Sequence, residues 1–162
     1  MIRLQQTIRL LAENEIDFVI VGGIAITLHG SSYLTSDLDI CYDRAQKNLR
    51  RIADALAPHH PRPRGLPKEL PFVWDAGTLR QGTNFTLTTD LGDIDLLGEV
   101  AGIGGYAEAL AASSAVTLYG HEIRILSLDA LIEAKRAAGR PKDLLVLPEL
   151  EALREIQSKK QG

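Results

Sequence analysis

Residues 18–42 read FVIVGGIAITLHGSSYLTSDLDICY, and this stretch decides the fold. Phe18 to Val21 is a short, continuous apolar run that stops at Gly22-Gly23, the pattern of a buried strand ending in a glycine turn. Ile24 to His29 reads as a short apolar helix closed by Gly30 and the Ser31-Ser32 loop, and Leu38 to Tyr42 as a second strand. Within that second strand, Asp37-Leu38-Asp39-Ile40 alternates acid with aliphatic. Side chains two apart on a strand share a face, so Asp37 and Asp39 stand side by side, their Cα atoms roughly 6–7 Å apart. Leu38 and Ile40 point the other way, into a core. Two like charges held this close repel unless a cation lies between them, and a divalent cation with a preference for hard oxygen ligands, such as Mg²⁺, suits the pair.

Working outward, Asp93-Ile94-Asp95-Leu96 repeats the motif. If its strand lies beside the first, Asp93 or Asp95 reaches the same site, and three carboxylates can hold two Mg²⁺ ions roughly 3.5–4 Å apart. Gly22-Gly23 stands between a strand and a helix, where free backbone amides favour phosphate. Further along, Lys135, Arg136, Arg140, Lys142 and Asp143 surround a helix end. They read either as a solvated face with cations favourably placed near a C-terminus or as a site where Lys135 and Lys142 clamp phosphate as point charges.

The rest of the chain supplies the frame. Residues 2–14 have the spacing of an amphipathic helix, and so do Arg44 to Leu56, through Leu49, Ile52, Ala53 and Leu56. Asn84 to Thr89 and Asp93 to Leu97 form a hairpin across Leu91-Gly92. Tyr106 to Ala112 is a short helix, and Val116 to Tyr119 and Glu122 to Leu126 flank a second turn at Gly120-His121. Ser127 is the expected N-cap of a helix over 128–138, with Gly139 its stop. A last helix is expected over 143–157, broken near Pro148, with residues 158–162 frayed. Five of the seven prolines fall in residues 58–71 together with His59, His60, Arg62, Arg64 and Lys68. That segment is an extended loop, either a solvated connector or a basic arm beside an anionic ligand. The expected architecture is α/β (α+β), a mixed central sheet flanked by helices.

Composition fits one domain over residues 1–162, with C-terminal helices from about residue 127. At 162 residues with 45% hydrophobic and 24% charged, a chain buries roughly two thirds of its unfolded surface. Collagen-like, disordered and disulfide-scaffold classes are excluded. Cys41 is the only cysteine, so no intrachain disulfide forms, and it reads as a core residue. No apolar run reaches the roughly 18–20 residues of a membrane span. The N-terminal stretch lacks a small-residue cleavage site. A cytoplasmic protein without a membrane partner is expected. The 18 Lys+Arg against 21 Asp+Glu leave a net charge of −3, which argues weakly against a protein that coats nucleic acid. His29 reads as structural, the His59-His60 pair as loop histidines, and Tyr33, Phe72 and Trp74 as local packing.

Val21-Gly22-Gly23, the Asp37-Leu38-Asp39 that follows after thirteen residues, and the later strand acid resemble the DNA polymerase β-like nucleotidyltransferase superfamily. The stretches VGGIAITLHGSSYLTSDLDICY, GDIDLLGEV and LIEAKRAAGRPKDLLVL are similar to small bacterial nucleotidyltransferases related to the AbiEii-type toxin group. The resemblance implies transfer of a nucleoside monophosphate from an NTP to an acceptor hydroxyl, with two Mg²⁺ ions. The acceptor could be an RNA end, a protein or a small molecule, and the setting a toxin–antitoxin or defence pair. It implies that Asp37 and Asp39 are the metal-binding pair and Asp95 the third acid, with Asp93 the competing choice. It places Gly22, Gly23 and Ser36 near the triphosphate and Lys135 near the nucleotide. Two positions depart from the pattern. Gly23 offers no serine hydroxyl, and Tyr33 stands where relatives often carry an arginine. These departures motivate an alternative, a non-catalytic binding or regulatory module on the same fold.

Overall fold

The computed structural model describes residues 1–161. Seven strands form one mixed sheet in the order β3-β4-β5-β2-β1-β7-β6. They are β1 (Phe18–Val21), β2 (Asp37–Tyr42), β3 (Arg62–Pro63), β4 (Asn84–Thr89), β5 (Gly92–Leu97), β6 (Ser113–Leu118) and β7 (His121–Leu126). The helices are α1 (Leu4–Glu13), α2 (Gly22–Leu28), α3 (Gln46–Leu56), α4 (Ala76–Gln81), α5 (Tyr106–Ala111), α6 (Leu128–Ala138) and α7 (Pro141–Gln161). The sheet is antiparallel at both edges and parallel where β2 meets β5 and where β1 meets β7. Every residue of β1 is buried, as expected for a short apolar strand between two neighbours. The core runs from α1 (Ile8, Leu11) through β1, β2 and β5 to α3 (Leu49, Ile52, Leu56) and α6 (Leu131, Ile132).

Several local expectations change. The two glycines do not precede α2 as a separate turn but form its first residues. Strand β2 begins one residue earlier, at Asp37. The proline-rich segment is not wholly irregular. It holds a 3₁₀ turn at Ala57–His59 and the two-residue strand β3, which pairs antiparallel with β4. Helix α4 is an added element, capped by Asp75, whose side chain accepts from the Thr78 amide at 2.7 Å. Helix α7 is continuous from Pro141 to Gln161 with Pro148 inside it, so neither the break nor a fray over 158–161 is present. Pro148 costs the helix one N–H donor, and the helix is held instead by its pairing with α6. Arg136 of α6 bonds Glu151, and Arg154 lies 3.5 Å from Asp129. The part of the tail expectation that concerns Gly162 lies outside the described residues.

Other expectations stand. Ser127 caps α6 by accepting from the Ala130 amide, and Gly139 closes the helix in the left-handed region. Cys41 is fully buried, and burial pushes its thiol up to about 11. The Nε2 of His29 bonds the Leu126 carbonyl at 2.9 Å, and the Trp74 indole donates to the Ala53 carbonyl. No described helix is long and apolar enough to cross a membrane.

Gly22 ties the fold to the acidic strand. It has φ +66, and a Cβ there would collide with Asp39 Oδ2. Gly120, at φ +83 in the β6–β7 turn, has open space where its Cβ would be. Both positions share the strain of a left-handed residue, about 1 kcal/mol for alanine. Gly22→Ala is therefore expected to cost clearly more than Gly120→Ala, by about 1–3 kcal/mol, as measured by urea denaturation. Equal losses would show that the close approach to Asp39 carries no weight.

Candidate active site

Strands β2 and β5 run parallel and in register, with Asp37 opposite Asp93 and Asp39 opposite Asp95. In-register residues of paired strands share a face, so all four carboxylates stand on the same side, while Leu38, Ile40, Ile94 and Leu96 fill the core behind them. The β4–β5 hairpin holds β5 in place, and β1 holds β2 from the other side.

The four acids are not equivalent. Asp39 is the innermost, and its Oδ1 is inaccessible to solvent with no hydrogen-bond partner. Burial, reinforced by the negative charge of Asp95 and then of Asp37, pushes the Asp39 carboxyl up to about 7; Lys135 pulls it the other way. Asp95 is 18% exposed, against 33% for Asp37 and 35% for Asp93. Ser36 is exposed and donates to Asp37 Oδ1 at 2.9 Å. Gly22 and Gly23 open α2 beside Asp39.

Arg64 enters from beyond β3. Its Nη2 lies 2.7 Å from Asp95 Oδ1, its Nε 3.2 Å from Asp93 Oδ2 and its Nη1 3.9 Å from Asp37 Oδ2. With three acids turned to this guanidinium, no group of three carboxylate, His or Cys side chains among the described residues converges on one metal position. The donor set itself is right for a hard cation: carboxylate oxygens only, one of them buried and unpartnered. The residues present therefore fit a divalent metal in donor chemistry, while their placement here is the one that pairs three of them with Arg64.

Next to Asp39 lies a cavity of about 330 Å³. Val21, Leu97, Val100, Leu126, Leu131 and Ala134 give it an apolar wall, and Asn84, Glu99, Lys135, Arg140 and Asp143 give it polar groups. The cations are fixed by one buried acid. Asp143 is fully buried, accepts from Lys135 Nζ at 3.1 Å and from Arg140 Nε at 2.6 Å, and also takes the Arg140 backbone amide. As the third residue of α7 reaching back to the residue before it, Asp143 makes the acid half of a capping box. Burial alone would raise its carboxyl; the bonds from Arg140 and Lys135 outweigh this and hold it down at about 2. Lys142 is exposed and is not among the cavity-lining residues, whereas Arg140 is. In the sequence Arg64 and Arg140 stand only as members of basic runs and are not singled out as site residues. Arg64 had a weak signal in the basic composition of its arm. Arg140 had none to separate it from Lys142 close by, because only the start of α7 decides which of the two reaches Asp143 and the cavity rim.

No family model matches the chain, and no curated protein matches it by sequence. The fold is shared with solved structures. A candidate nucleotidyltransferase from Thermotoga maritima aligns over 98% of this chain and 96% of its own at 18% identity, with a TM-score of 0.54. The lincosamide antibiotic adenylyltransferase LnuA, solved with lincomycin bound, aligns over 93% of this chain and 95% of its own at 13% identity, with a TM-score of 0.59. The mixed sheet with flanking helices is thus the architecture seen in proteins described as nucleotidyltransferases.

Two outcomes follow for the metal-free protein. The native state holds the Asp39 proton more tightly than the unfolded chain, whose carboxyl has its ordinary value of 3.8. Stability from this group therefore falls as pH rises from about 4 to about 7. Asp39→Asn is expected to melt like the parent near pH 4 and to be more stable by about 1–2 kcal/mol at pH 8 in EDTA; no gain at pH 8 would refute the buried charge. Asp143 has the opposite sign. Its stabilisation is complete above the ordinary value of 3.8 and is lost as pH falls through about 2. Asp143→Asn is expected to cost about 2–4 kcal/mol at pH 7, measured by thermal melting, and a neutral change would mean the two cations need no partner.

Proposed function

We propose that the chain is a Mg²⁺-dependent nucleotidyltransferase that moves a nucleoside monophosphate from an NTP to an acceptor hydroxyl. The observation that carries this reading is the in-register placement of Asp37 and Asp39 against Asp93 and Asp95, with an unpartnered Asp39 Oδ1 beside the start of α2. Asp37, Asp39 and Asp95 are the proposed metal ligands. Asp95 is favoured over Asp93 because it lies opposite Asp39 and is the more buried of the two. Two Mg²⁺ ions bound there would supply Lewis acidity to the attacking hydroxyl and to the leaving pyrophosphate.

The protein's own contribution is positioning and charge. Backbone amides of Gly22 and Gly23, with Ser36 nearby, are proposed to face the triphosphate. Lys135 and Arg140, held by Asp143, present fixed positive charge at the cavity beside Asp39. Lys142, exposed, would act only as a more distant charge. In the reaction the acceptor oxygen bonds the α-phosphorus as the bond from that phosphorus to the bridging oxygen breaks. Pyrophosphate leaves with that electron pair, and the hydroxyl proton passes to a carboxylate of the site. Preorganised charge at the point where negative charge grows is the main source of rate.

A small-molecule acceptor is favoured over an RNA end or a protein. The cavity is of small-ligand size, and LnuA, which shares the fold, is a lincosamide antibiotic adenylyltransferase. The sequence resemblance to the AbiEii-type toxin group supports a place in a toxin–antitoxin or defence pair, and the chain is proposed to work as one unit over 1–162, in the cytoplasm. A binding-only module is the second reading, favoured by the ion pairs that Arg64 makes with three of the acids. Incubation with α-labelled NTPs and acceptor pools separates the two. The enzyme should release pyrophosphate and transfer label, and Asp39→Ala should lower the rate by at least roughly a hundredfold. Transfer unaffected by that change would sink the site, and Mg²⁺-dependent NTP binding without turnover would favour the module.

A further inference from the structure

Arg64 occupies the position that a cation would take among these acids. Its placement is built by the backbone. Strand β3 sets Arg62 opposite Thr88 and Pro63 opposite Leu87, and the Arg64 amide continues the pairing by donating to the Thr86 carbonyl at 2.9 Å. The side chain then turns over β4, donating to the Leu87 carbonyl at 3.1 Å, and ends among Asp95, Asp93 and Asp37. It does not pair with Asp39, whose Oδ1 stays unpartnered. One planar guanidinium thus serves three carboxylates from two strands, a geometry that suits arginine's fork of donors.

We propose that Arg64 is a resident counter-cation of the acidic site, which a divalent cation has to displace in order to bind. The inference rests on the metal reading of the site given above. A guanidinium and a divalent ion cannot both sit at the centre of the same carboxylates, because like charges at such separations repel strongly. The metal-free protein needs a cation there, since four acids on one sheet face would otherwise repel. Binding is therefore an exchange, and the apparent metal affinity is the intrinsic one reduced by the fraction of molecules in which Arg64 has left. The chain allows the departure. Arg64 is 32% exposed at its side chain. Gly65 follows with no heavy atom near its Cβ position, and residues 67–70 are exposed, so the side chain can swing out to solvent while its backbone stays paired with β4.

Direct Mn²⁺ titration, read by calorimetry or by the free-ion electron spin resonance signal, tests this without any turnover. Arg64→Gln removes the charge and leaves a shorter polar side chain. It is expected to bind Mn²⁺ roughly tenfold more tightly than the parent, and to melt lower in EDTA with the loss reversed by Mn²⁺. Arg64→Lys, a point charge without the fork, should fall between the two, and provides the comparison if the glutamine variant does not fold. Equal or weaker Mn²⁺ binding in the variants than in the parent would overturn the inference while leaving the metal site standing. Absence of Mn²⁺ binding in the parent and both variants would overturn the metal reading and this inference together. Adding Asp39→Ala to Arg64→Gln should abolish the tight binding, and persistence of that binding would overturn the inference by locating the ion elsewhere.

Discussion

Repulsion among four carboxylates is the constraint around which the structure is arranged. Asp37, Asp39, Asp93 and Asp95 are brought to one face by the parallel pairing of β2 with β5, and that pairing is worth having only because Leu38, Ile40, Ile94 and Leu96 are buried behind it. The same register that packs the aliphatic side chains forces the acids together. Their charge is answered in different ways. Arg64 pairs with the outer three and offsets part of their charge, burial raises the affinity of Asp39 for its proton, and Lys135 adds positive potential from α6. A site strained in this way favours whichever cation satisfies all of its oxygens at once.

A second charged unit, on α6 and α7, is organised in the reverse sense. There a single buried acid, Asp143, fixes two cations, and its deep burial is tolerated because each of its oxygens is bonded. The two units meet at one cavity. Its apolar wall comes from β1, β5, β7 and α6, and its charges from Asp39, Glu99, Lys135 and the start of α7. Gly22 lies at the junction, where any side chain would press on Asp39. The helix after β1 and the acid on β2 are consequently set by each other's bulk.

The parts of this arrangement that were legible in the sequence are those fixed by short-range periodicity. Alternation in Asp37-Leu38-Asp39-Ile40 and Asp93-Ile94-Asp95-Leu96 gave the faces, and apolar runs gave β1 and the order of most elements. Ser127 and Gly139 marked the bounds of α6 through cap chemistry that is local to a few residues. What escaped was set by tertiary pairing. Arg64 is 31 residues from Asp95, and it reaches the site only because a two-residue strand adds to the edge of β4; proline-rich composition pointed to a loop instead. Helix α7 runs through Pro148 because contacts with α6 outweigh one missing donor. Helix α4 did carry a local sign, the Asp75–Thr78 cap, but at six residues it is too short for periodicity to show.

The chain's one thiol has a use that follows from where it lies. Cys41 sits on β2 two residues beyond Asp39, with no solvent exposure and a proton it gives up only near pH 11. A thiol reagent cannot reach it in the closed protein, and reacts only in molecules in which this strand has come away from its neighbours. The slow labelling of a single cysteine would therefore act as a clock for the opening of the acidic strand, without any introduced probe. Any cation or nucleotide that binds the closed form would slow that clock by a factor of one plus the ratio of its concentration to its Kd, so the logarithm of the labelling rate reads the stabilisation free energy.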